Sequence, residues 1–293
     1  MEIIRTPGEM RTWSQQARAR DQRIGFVPTM GYLHDGHVSL LRHGRPRCGA
    51  LVASIFVNPT QFGPQEDFAS YPRDVARDTA MLVEAGTDCL YLPEIVDVYP
   101  PGFRTYVEVE GLSDTLCGRF RPGHFRGVCT VVAKLFNVVT PDEAWFGEKD
   151  AQQLRIIRKM VDDLDMPVMV TGCPTRREPD GLAMSSRNVY LGPAERAQAP
   201  ALHHALQEAR RLAASGETDA GRLLNRMHAI MAEQAPLAAV EYLQAVDDTS
   251  LTPVTRLEGR VLIALAARFG RTRLIDNIVL EAPTPREAEG MDP

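Results

Sequence analysis

Short apolar runs alternate with longer amphipathic stretches through the first 175 residues of the chain. The apolar runs are bounded by Gly, Pro or polar residues, which predicts buried β-strands at 24–29, 50–57, 89–92, 144–146 and 168–171. Apolar residues recurring every three or four positions predict helices at 38–43, 74–85, 128–139 and 151–164. Because strands alternate with helices, we expect a Rossmann-like, doubly wound parallel sheet.

The pattern changes after residue 175. Two long helices rich in Ala and Arg are predicted at 193–215 and 220–234, and alternating segments that predict a small antiparallel sheet follow at 240–246, 260–266 and 273–279. The chain is therefore expected to be an α/β protein with a smaller C-terminal α+β domain. We expect the domains to comprise residues 1–175 and 176–282. Residues 283–293 contain three prolines and are predicted to form a mobile tail.

Composition and charge exclude several classes of protein. Hydrophobic residues make up 44% of the chain and charged residues 24%, and the net charge of −5 gives no general attraction to nucleic acid or anionic membrane. The longest apolar run, 261–267, is far shorter than the ~20 residues that span a bilayer. The five cysteines are scattered and form no Cys-x-x-Cys pair. We expect a cytoplasmic protein with no nucleic-acid or membrane partner.

Polar and glycine-containing segments follow three of the predicted strands. Residues 28–31 come after the first strand, residues 58–61 after the second, and residues 147–150 after the strand that contains Trp145. In doubly wound sheets the ligand binds beyond the carboxyl ends of the strands. We therefore expect the chemistry of the protein at this edge of the sheet.

The segment Pro-Thr-Met-Gly-Tyr-Leu-His-Asp-Gly-His at 28–37 turns from a strand into a helix. Its two histidines, His34 and His37, lie three residues apart and so on one helix face. Together with the free N–H groups of the helix N-terminus they favour binding of an ATP phosphate chain, which Gly31 and Gly36 let approach closely. Alternatively, the histidines ligate a metal or are ordinary structural residues, although a metal site would need further ligands.

Two other segments carry groups suited to anions. Met-Ser-Ser-Arg-Asn at 184–188 offers two hydroxyls and a guanidinium, although it could also be a helix cap with a solvated arginine. In Gly-Glu-Lys-Asp-Ala-Gln-Gln-Leu at 147–154, Lys149 suits a phosphate oxygen and Asp150 a ribose hydroxyl, unless both belong to a simple cap. Gln153 lies on the same helix face as Asp150 and suits a small polar ligand.

Two further segments contain an amide and several basic side chains. They are Ile-Phe-Val-Asn-Pro-Thr-Gln-Phe-Gly at 55–63 and Gly-Arg-Phe-Arg-Pro-Gly-His-Phe-Arg-Gly at 118–127. Together they suit a carboxylate substrate, although turn chemistry alone also explains them.

The five segments, in this order and over nearly the whole chain, resemble the pantothenate synthetases of the Rossmann-like nucleotidyltransferase superfamily. The resemblance implies a homodimer whose C-terminal domain acts as a lid. It also implies condensation of pantoate with β-alanine using ATP and Mg²⁺, with no metal held by the protein alone. Pantoate would first form pantoyl adenylate, and the β-alanine amine would then displace AMP. The products would be pantothenate, AMP and pyrophosphate.

The resemblance also assigns roles to particular residues. The catalytic groups would be His34, His37, Lys149, Ser185, Ser186 and Arg187. Gln61 and Gln153 would bind pantoate and β-alanine. ATP would be bound by Met30, Gly31, Tyr32, Leu33, His34, Asp35, Gly36, His37, Gly147, Glu148, Lys149, Asp150, Arg176, Met184, Ser185, Ser186 and Arg187.

Two positions depart from the family pattern, and other functions compete. Cys117 stands where the family usually has Glu, and Arg176 stands where an apolar residue usually borders the adenine. One alternative is a nucleotidyltransferase that keeps AMP in its product. A class I aminoacyl-tRNA synthetase would need more chain for tRNA binding. A nucleotide sensor without catalysis would be expected to have lost Lys149, the histidines or the Ser-Ser-Arg segment, and all are intact.

Overall fold

The computed structural model describes residues 1–64 and 66–282, which divide into two compact units. The first comprises Met1–Asp114 and Arg121–Arg176. The second comprises Thr115–Phe120 and the chain from Arg177 onward. The short segment Thr115–Phe120 was not expected in the second unit, because it lies far from residue 176 in the sequence. The tail predicted at 283–293 lies outside the described residues.

The first unit is built on a six-stranded sheet in which every described pairing is parallel. Its strands are β1 (Glu2–Ile4), β2 (Ile24–Thr29), β3 (Ala50–Ile55), β4 (Cys89–Tyr91), β5 (Glu143–Gly147) and β6 (Met169–Cys173). Their spatial order is β1-β4-β3-β2-β5-β6. The chain first builds outward from β2 through β3 to β4 and then continues on the other side with β5 and β6. The topological switch point, where such sheets bind ligands, therefore lies between β2 and β5.

Helices connect the strands. They are α1 (Pro7–Ala19), α2 (Asp35–Gly44), α3 (Val75–Glu84), α4 (Ile95–Val98), α5 (Leu116–Phe120), α6 (His124–Val139) and α7 (Ala151–Asp163), of which α5 belongs to the second unit. β1 and α1 were not predicted. Thr6 and Glu9 cap α1 reciprocally, and the helix buries Met10 and Trp13. A buried cluster under the sheet includes Val27, Leu33, Leu41, Leu51, Ile55, Leu82, Leu90 and Trp145.

The second unit packs helices on a small antiparallel sheet, as predicted. Its later elements are α8 (Pro193–Gln198), α9 (Ala201–Ala214), α10 (Ala220–Gln234), β7 (Ala238–Asp247), β8 (Gly259–Phe269) and β9 (Thr272–Ala282), with the strands in the order β7-β8-β9. The prediction of one helix over 193–215 was wrong, because the chain leaves α8 before Pro200 and α9 starts after it. Proline has no N–H to continue the helix and clashes with the preceding turn. The core includes Leu202, Leu206, Leu223, Met227, Ile263 and Leu265.

Candidate active site

The loop after β2 is fixed by an aspartate that the sequence analysis missed. The carboxylate of Asp78, on α3, accepts the backbone N–H groups of Tyr32 at 2.6 Å and Leu33 at 2.7 Å. Gly31 (φ +82°) and Tyr32 (φ +49°) are in the left-handed region, and a Cβ on Gly31 would lie 2.9 Å from Ile55 Cγ2. Burial raises the pKa of Asp78, although both hydrogen bonds favour the carboxylate. The loop that leads to the histidines is therefore strongly constrained.

His34 and His37 stand together at the start of α2, with ring centroids 4.1 Å apart. Nδ1 of His34 accepts the N–H of Gly36 at 3.1 Å, and Nδ1 of His37 accepts the N–H of His34 at 3.3 Å. A nitrogen that accepts a hydrogen bond carries no proton, so each neutral ring has its proton on Nε2. The pair thus offers two Nε2–H donors.

The histidines are neutral at physiological pH. Burial, followed by the charge of Lys149, lowers the pKa of His34 to about 4. Burial, followed by His34 and then Lys149, lowers the pKa of His37 well below its usual range. Both imidazoles therefore donate hydrogen bonds without carrying charge, and Lys149 supplies the positive charge of the site.

Lys149 and Asp150 lie where β5 leads into α7. Lys149 Nζ is 3.7 Å from Asp150 Oδ1, and the Lys149 side chain is mostly buried. β5 pairs directly with β2, through Gly25 with Glu143 and Phe26 with Ala144. The predicted segments 28–37 and 147–154 therefore meet at the topological switch point.

The side chain of Gln61 joins the loop after β3 to the loop after β2. Its Nε2 lies 3.2 Å from Met30 Sδ, and its Oε1 accepts a hydrogen bond from Asn58 Nδ2 at 3.1 Å. Asn58 is buried and also donates to the carbonyl oxygen of Gly127 at 3.1 Å. The predicted substrate residue Gln61 is thus held next to a predicted ATP residue.

Two side chains of the basic segment 118–127 hydrogen-bond to the backbone of Gln61. Arg121 forms a two-pronged ion pair with Glu66, at 2.7 and 2.5 Å, and donates to the Gln61 carbonyl oxygen at 3.3 Å. His124 Nδ1 donates to the same carbonyl at 2.8 Å, so its Nε2 accepts from Arg121 at 3.0 Å. Burial, and next the charge of Arg121, lowers the pKa of His124 to about 3. Arg121 and His124 are therefore engaged with the Gln61 loop.

Gly127, at the end of this segment, lets α6 touch the Gln61 loop. A Cβ at this position would lie 2.6 Å from the carbonyl carbon of Thr60 and 2.7 Å from the backbone nitrogen of Gln61. Real Cβ atoms do not come so close to backbone. Only glycine fits here unless the loop moves.

The remaining predicted residues of the first unit differ in exposure. Gln153 is half-buried on the first turn of α7, while its neighbour Gln152 is buried and donates to the Leu112 carbonyl oxygen at 2.8 Å. Asp35 and Arg176 are exposed. No group of three or more His, Cys, Asp or Glu side chains suited to a metal occurs in residues 1–64 and 66–282.

The Ser-Ser-Arg segment belongs to the second unit. Ser185 Oγ accepts the N–H of Arg187 at 3.2 Å and caps a short 3₁₀ turn, Ser186–Tyr190, in which Ser186 is buried. The alternative of a simple cap is thus realised for Ser185. Its cap leaves the Ser185 hydroxyl hydrogen available to a ligand.

Within the part of the chain that the structure describes, no helix combines the length and apolar character of a membrane span. All five cysteines are free thiols.

The fold and this set of side chains define a class: a doubly wound α/β enzyme with a site of neutral imidazoles and a lysine at its switch point. The family model of pantoate-beta-alanine ligase matches residues 2–279. The chain belongs to that family.

Individual relatives agree over almost their full lengths. The chain is 54% identical to a pantothenate synthetase of Heliobacterium modesticaldum, covering 96% of this chain and 100% of that one. A pantothenate synthetase structure from Thermus thermophilus is 46% identical with a TM-score of 0.90, covering 95% and 99%. A pantoate-beta-alanine ligase structure from Francisella tularensis, described as a complex with beta-gamma ATP and beta-alanine, is 32% identical with a TM-score of 0.79, covering 95% and 97%.

Proposed function

We propose that this protein condenses pantoate with β-alanine at the expense of ATP and yields pantothenate, AMP and pyrophosphate. The observation that carries the proposal is the meeting of His34, His37 and Lys149 at the switch point of a member of this family. The Francisella relative, described as a complex with beta-gamma ATP and beta-alanine, lends support. The reaction has two steps. A pantoate carboxylate oxygen attacks the α-phosphorus of ATP and expels pyrophosphate, and the β-alanine amine then attacks the acyl carbon and expels AMP.

The histidines and the lysine are assigned to the phosphates. Two neutral Nε2–H groups can stabilise by hydrogen bonds the charge that builds on the α-phosphate and the leaving pyrophosphate, and the Lys149 ammonium can compensate part of it. The free N–H groups at the start of α2 add to this field. Because the imidazoles carry no charge, they do not form ion pairs with the pantoate carboxylate. The carboxylate therefore stays nucleophilic.

Gln61 and Gln153 are assigned to pantoate. A carboxamide donates and accepts hydrogen bonds, so it can bind hydroxyl and carboxylate groups without adding charge. The contact between Gln61 and Met30 would bring the carboxylate near the nucleotide. Asn58, Arg121 and His124 hold the loop that carries Gln61. This support matters because precise placement of pantoate against ATP can lower the activation barrier of adenylation substantially.

Other parts of the proposal rest on the resemblance. Ser185, Ser186 and Arg187 are assigned to the ATP phosphates, Gly147 and Asp150 to the nucleoside, and residues 176–282 to a lid. Mg²⁺ would be held mainly by the phosphates and water, as it often is in ATP sites, and would add positive charge there. We also propose a homodimer in the cytoplasm, a compartment that suits five free thiols.

The proposal is tested by supplying ATP, Mg²⁺, pantoate and β-alanine and measuring products. We expect AMP and pantothenate in equal amounts. Folded protein that releases neither contradicts the proposal, and a product that retains AMP would favour the alternative nucleotidyltransferase. Lys149→Ala should abolish most turnover, whereas Lys159→Ala, which changes an exposed lysine on the following helix α7, should not.

A further inference from the structure

The Ser-Ser-Arg segment follows a small hairpin at 177–183 in the second unit. Arg177 and Ala183 form a β-bridge, and the N–H of Glu178 donates to the Leu182 carbonyl oxygen at 2.8 Å. Gly181 at the tip has φ +92°, and a Cβ there would clash with the His203 ring. The hairpin is thus closed and packed on α9.

An ion pair between the partly buried Arg177 and the buried Asp276 joins this hairpin to the sheet. Arg177 Nη1 and Nη2 donate to Asp276 Oδ2 at 2.6 Å and Oδ1 at 3.0 Å, and Nη1 also donates to the Gly181 carbonyl oxygen at 3.0 Å. Asp276 is 3% exposed and lies on β9, paired with Leu265. One guanidinium therefore binds both the strand and the tip of the hairpin.

Asn188 extends the connection to the serines. Its Nδ2 donates to the Ala183 carbonyl oxygen at 3.1 Å, and its backbone N–H donates to the Ser185 carbonyl oxygen at 3.0 Å. The chain of contacts thus runs from Asp276 through Arg177 and the hairpin to Asn188 and Ser185.

We propose that Arg177, Asp276 and Asn188 are positioning residues that fix Ser185–Arg187 for binding the phosphates of ATP. The inference rests on the proposed function, which assigns Ser185–Arg187 to ATP. Buried ion pairs add little to stability but can select one arrangement of the chain. Here the selected arrangement is that of a loop whose hydroxyls and guanidinium must meet a phosphate together.

The variants Arg177→Lys, Asp276→Asn and Asn188→Ala test this. Lysine keeps the charge of Arg177 but cannot bridge both Asp276 oxygens and the Gly181 carbonyl. We expect KM for ATP to rise roughly tenfold in each, because small misplacements of binding groups are costly. KM for pantoate should stay within about twofold of the wild type, since Gln61 and Gln153 lie in the other unit.

The matched control is Arg196→Gln. Arg196 pairs with Asp180 of the same hairpin at 2.5 Å, but both side chains are substantially exposed, so the pair is worth little. Its KM for ATP should be unchanged. An unchanged KM for ATP in Arg177→Lys and Asn188→Ala overturns the inference, and so does an equal rise of both KM values.

A binding measurement separates the inference from the proposed function. Affinity for a non-hydrolysable ATP analogue, without the other substrates, should fall in the three variants and not in Arg196→Gln. If the wild type binds the analogue but makes no pantothenate, the proposed function fails while the positioning role is still decided by these affinities. If Asp276→Asn does not fold, Arg177→Lys and Asn188→Ala decide, and Asn188→Ala leaves the ion pair of Arg177 with Asp276 intact.

Discussion

In both units a buried aspartate from a neighbouring element holds a segment that we propose binds ATP, but the two aspartates do so differently. In the first unit Asp78 accepts two backbone N–H groups of the histidine loop itself. In the second unit Asp276 binds the Arg177 side chain, and further hydrogen bonds lead from there through the hairpin and Asn188 to the Ser-Ser-Arg segment. Asp78 therefore acts directly on the backbone of the histidine loop, while Asp276 acts on the serine segment through a series of intermediate contacts.

The largest effect should come from removing a reacting group without touching either support. His37→Ala is expected to lower kcat by roughly a hundredfold or more, since one preorganised donor is lost at the charge that develops in the transition state. Circular dichroism should stay as in the wild type, and the melting temperature should fall only by the loss of the hydrogen bond from the His34 N–H. His228→Ala, an exposed histidine on α10, is the control, and an unchanged rate in His37→Ala would remove that residue from the mechanism.

Asp78→Asn tests the direct support. An amide side chain places an NH₂ group against one of the two backbone donors, so one buried N–H loses its partner, and the free energy of unfolding should fall by about 3 kcal/mol. Because the substitution displaces the histidines, we expect kcat to fall and KM for ATP to rise. If Asp78→Asn changes KM for ATP alone, as expected for Arg177→Lys, the distinction between the two supports is wrong.

Gly127→Ala asks whether the Gln61 loop is held as firmly as the histidine loop. The added Cβ would press on the backbone of Thr60 and Gln61, and the free energy of unfolding should fall by about 2 kcal/mol. KM for pantoate should rise while KM for ATP changes little. Gly8→Ala, where a Cβ meets nothing within 4 Å, serves as control. Equal shifts of both KM values would show that the loop does not act on pantoate specifically.

The smallest effect is expected in the pH dependence of stability. His124 has a pKa of about 3 in the fold, against an ordinary value of 6.5, so between these values the unfolded chain binds more protons. The contribution of this group to the free energy of unfolding is fully present above pH 6.5 and is lost as the pH falls towards 3. We therefore expect the free energy of unfolding, measured with urea, to fall less between pH 7.5 and pH 5 in His124→Gln than in the wild type. An identical loss in both proteins would contradict this assignment.

Much of the fold could be predicted from local patterns. The strand at 24–29 and the helix at 220–234 were predicted with the bounds observed, because each has a clear period and clear boundaries. β1, only three residues long, has too short a pattern. The break near Pro200 was missed because the apolar period continues across it, and proline outweighs that period.

The groups that we assign to the reaction could be located from the sequence, but the residues that support them could not. His34, His37 and Lys149 stand in distinctive segments at the ends of strands. Asp78 looks like an ordinary acidic residue in an amphipathic helix, and its partners lie more than 40 residues away. Asp276 sits in an alternating strand, 99 residues from Arg177. Such pairings depend on tertiary structure and leave no local signal.

Because Thr115–Phe120 belongs to the second unit, the chain passes from the first unit to the second, returns at Arg121 and enters the second unit again at Arg177. α5 packs there on β7, with Phe120 5.8 Å from the Tyr242 ring and Cys117 Sγ 3.0 Å from the Tyr242 hydroxyl. A protease that cut once after Arg176 would therefore not free the C-terminal half. The N-terminal fragment would still contribute α5 to the second unit. We therefore expect the two fragments to stay associated until denaturant separates them.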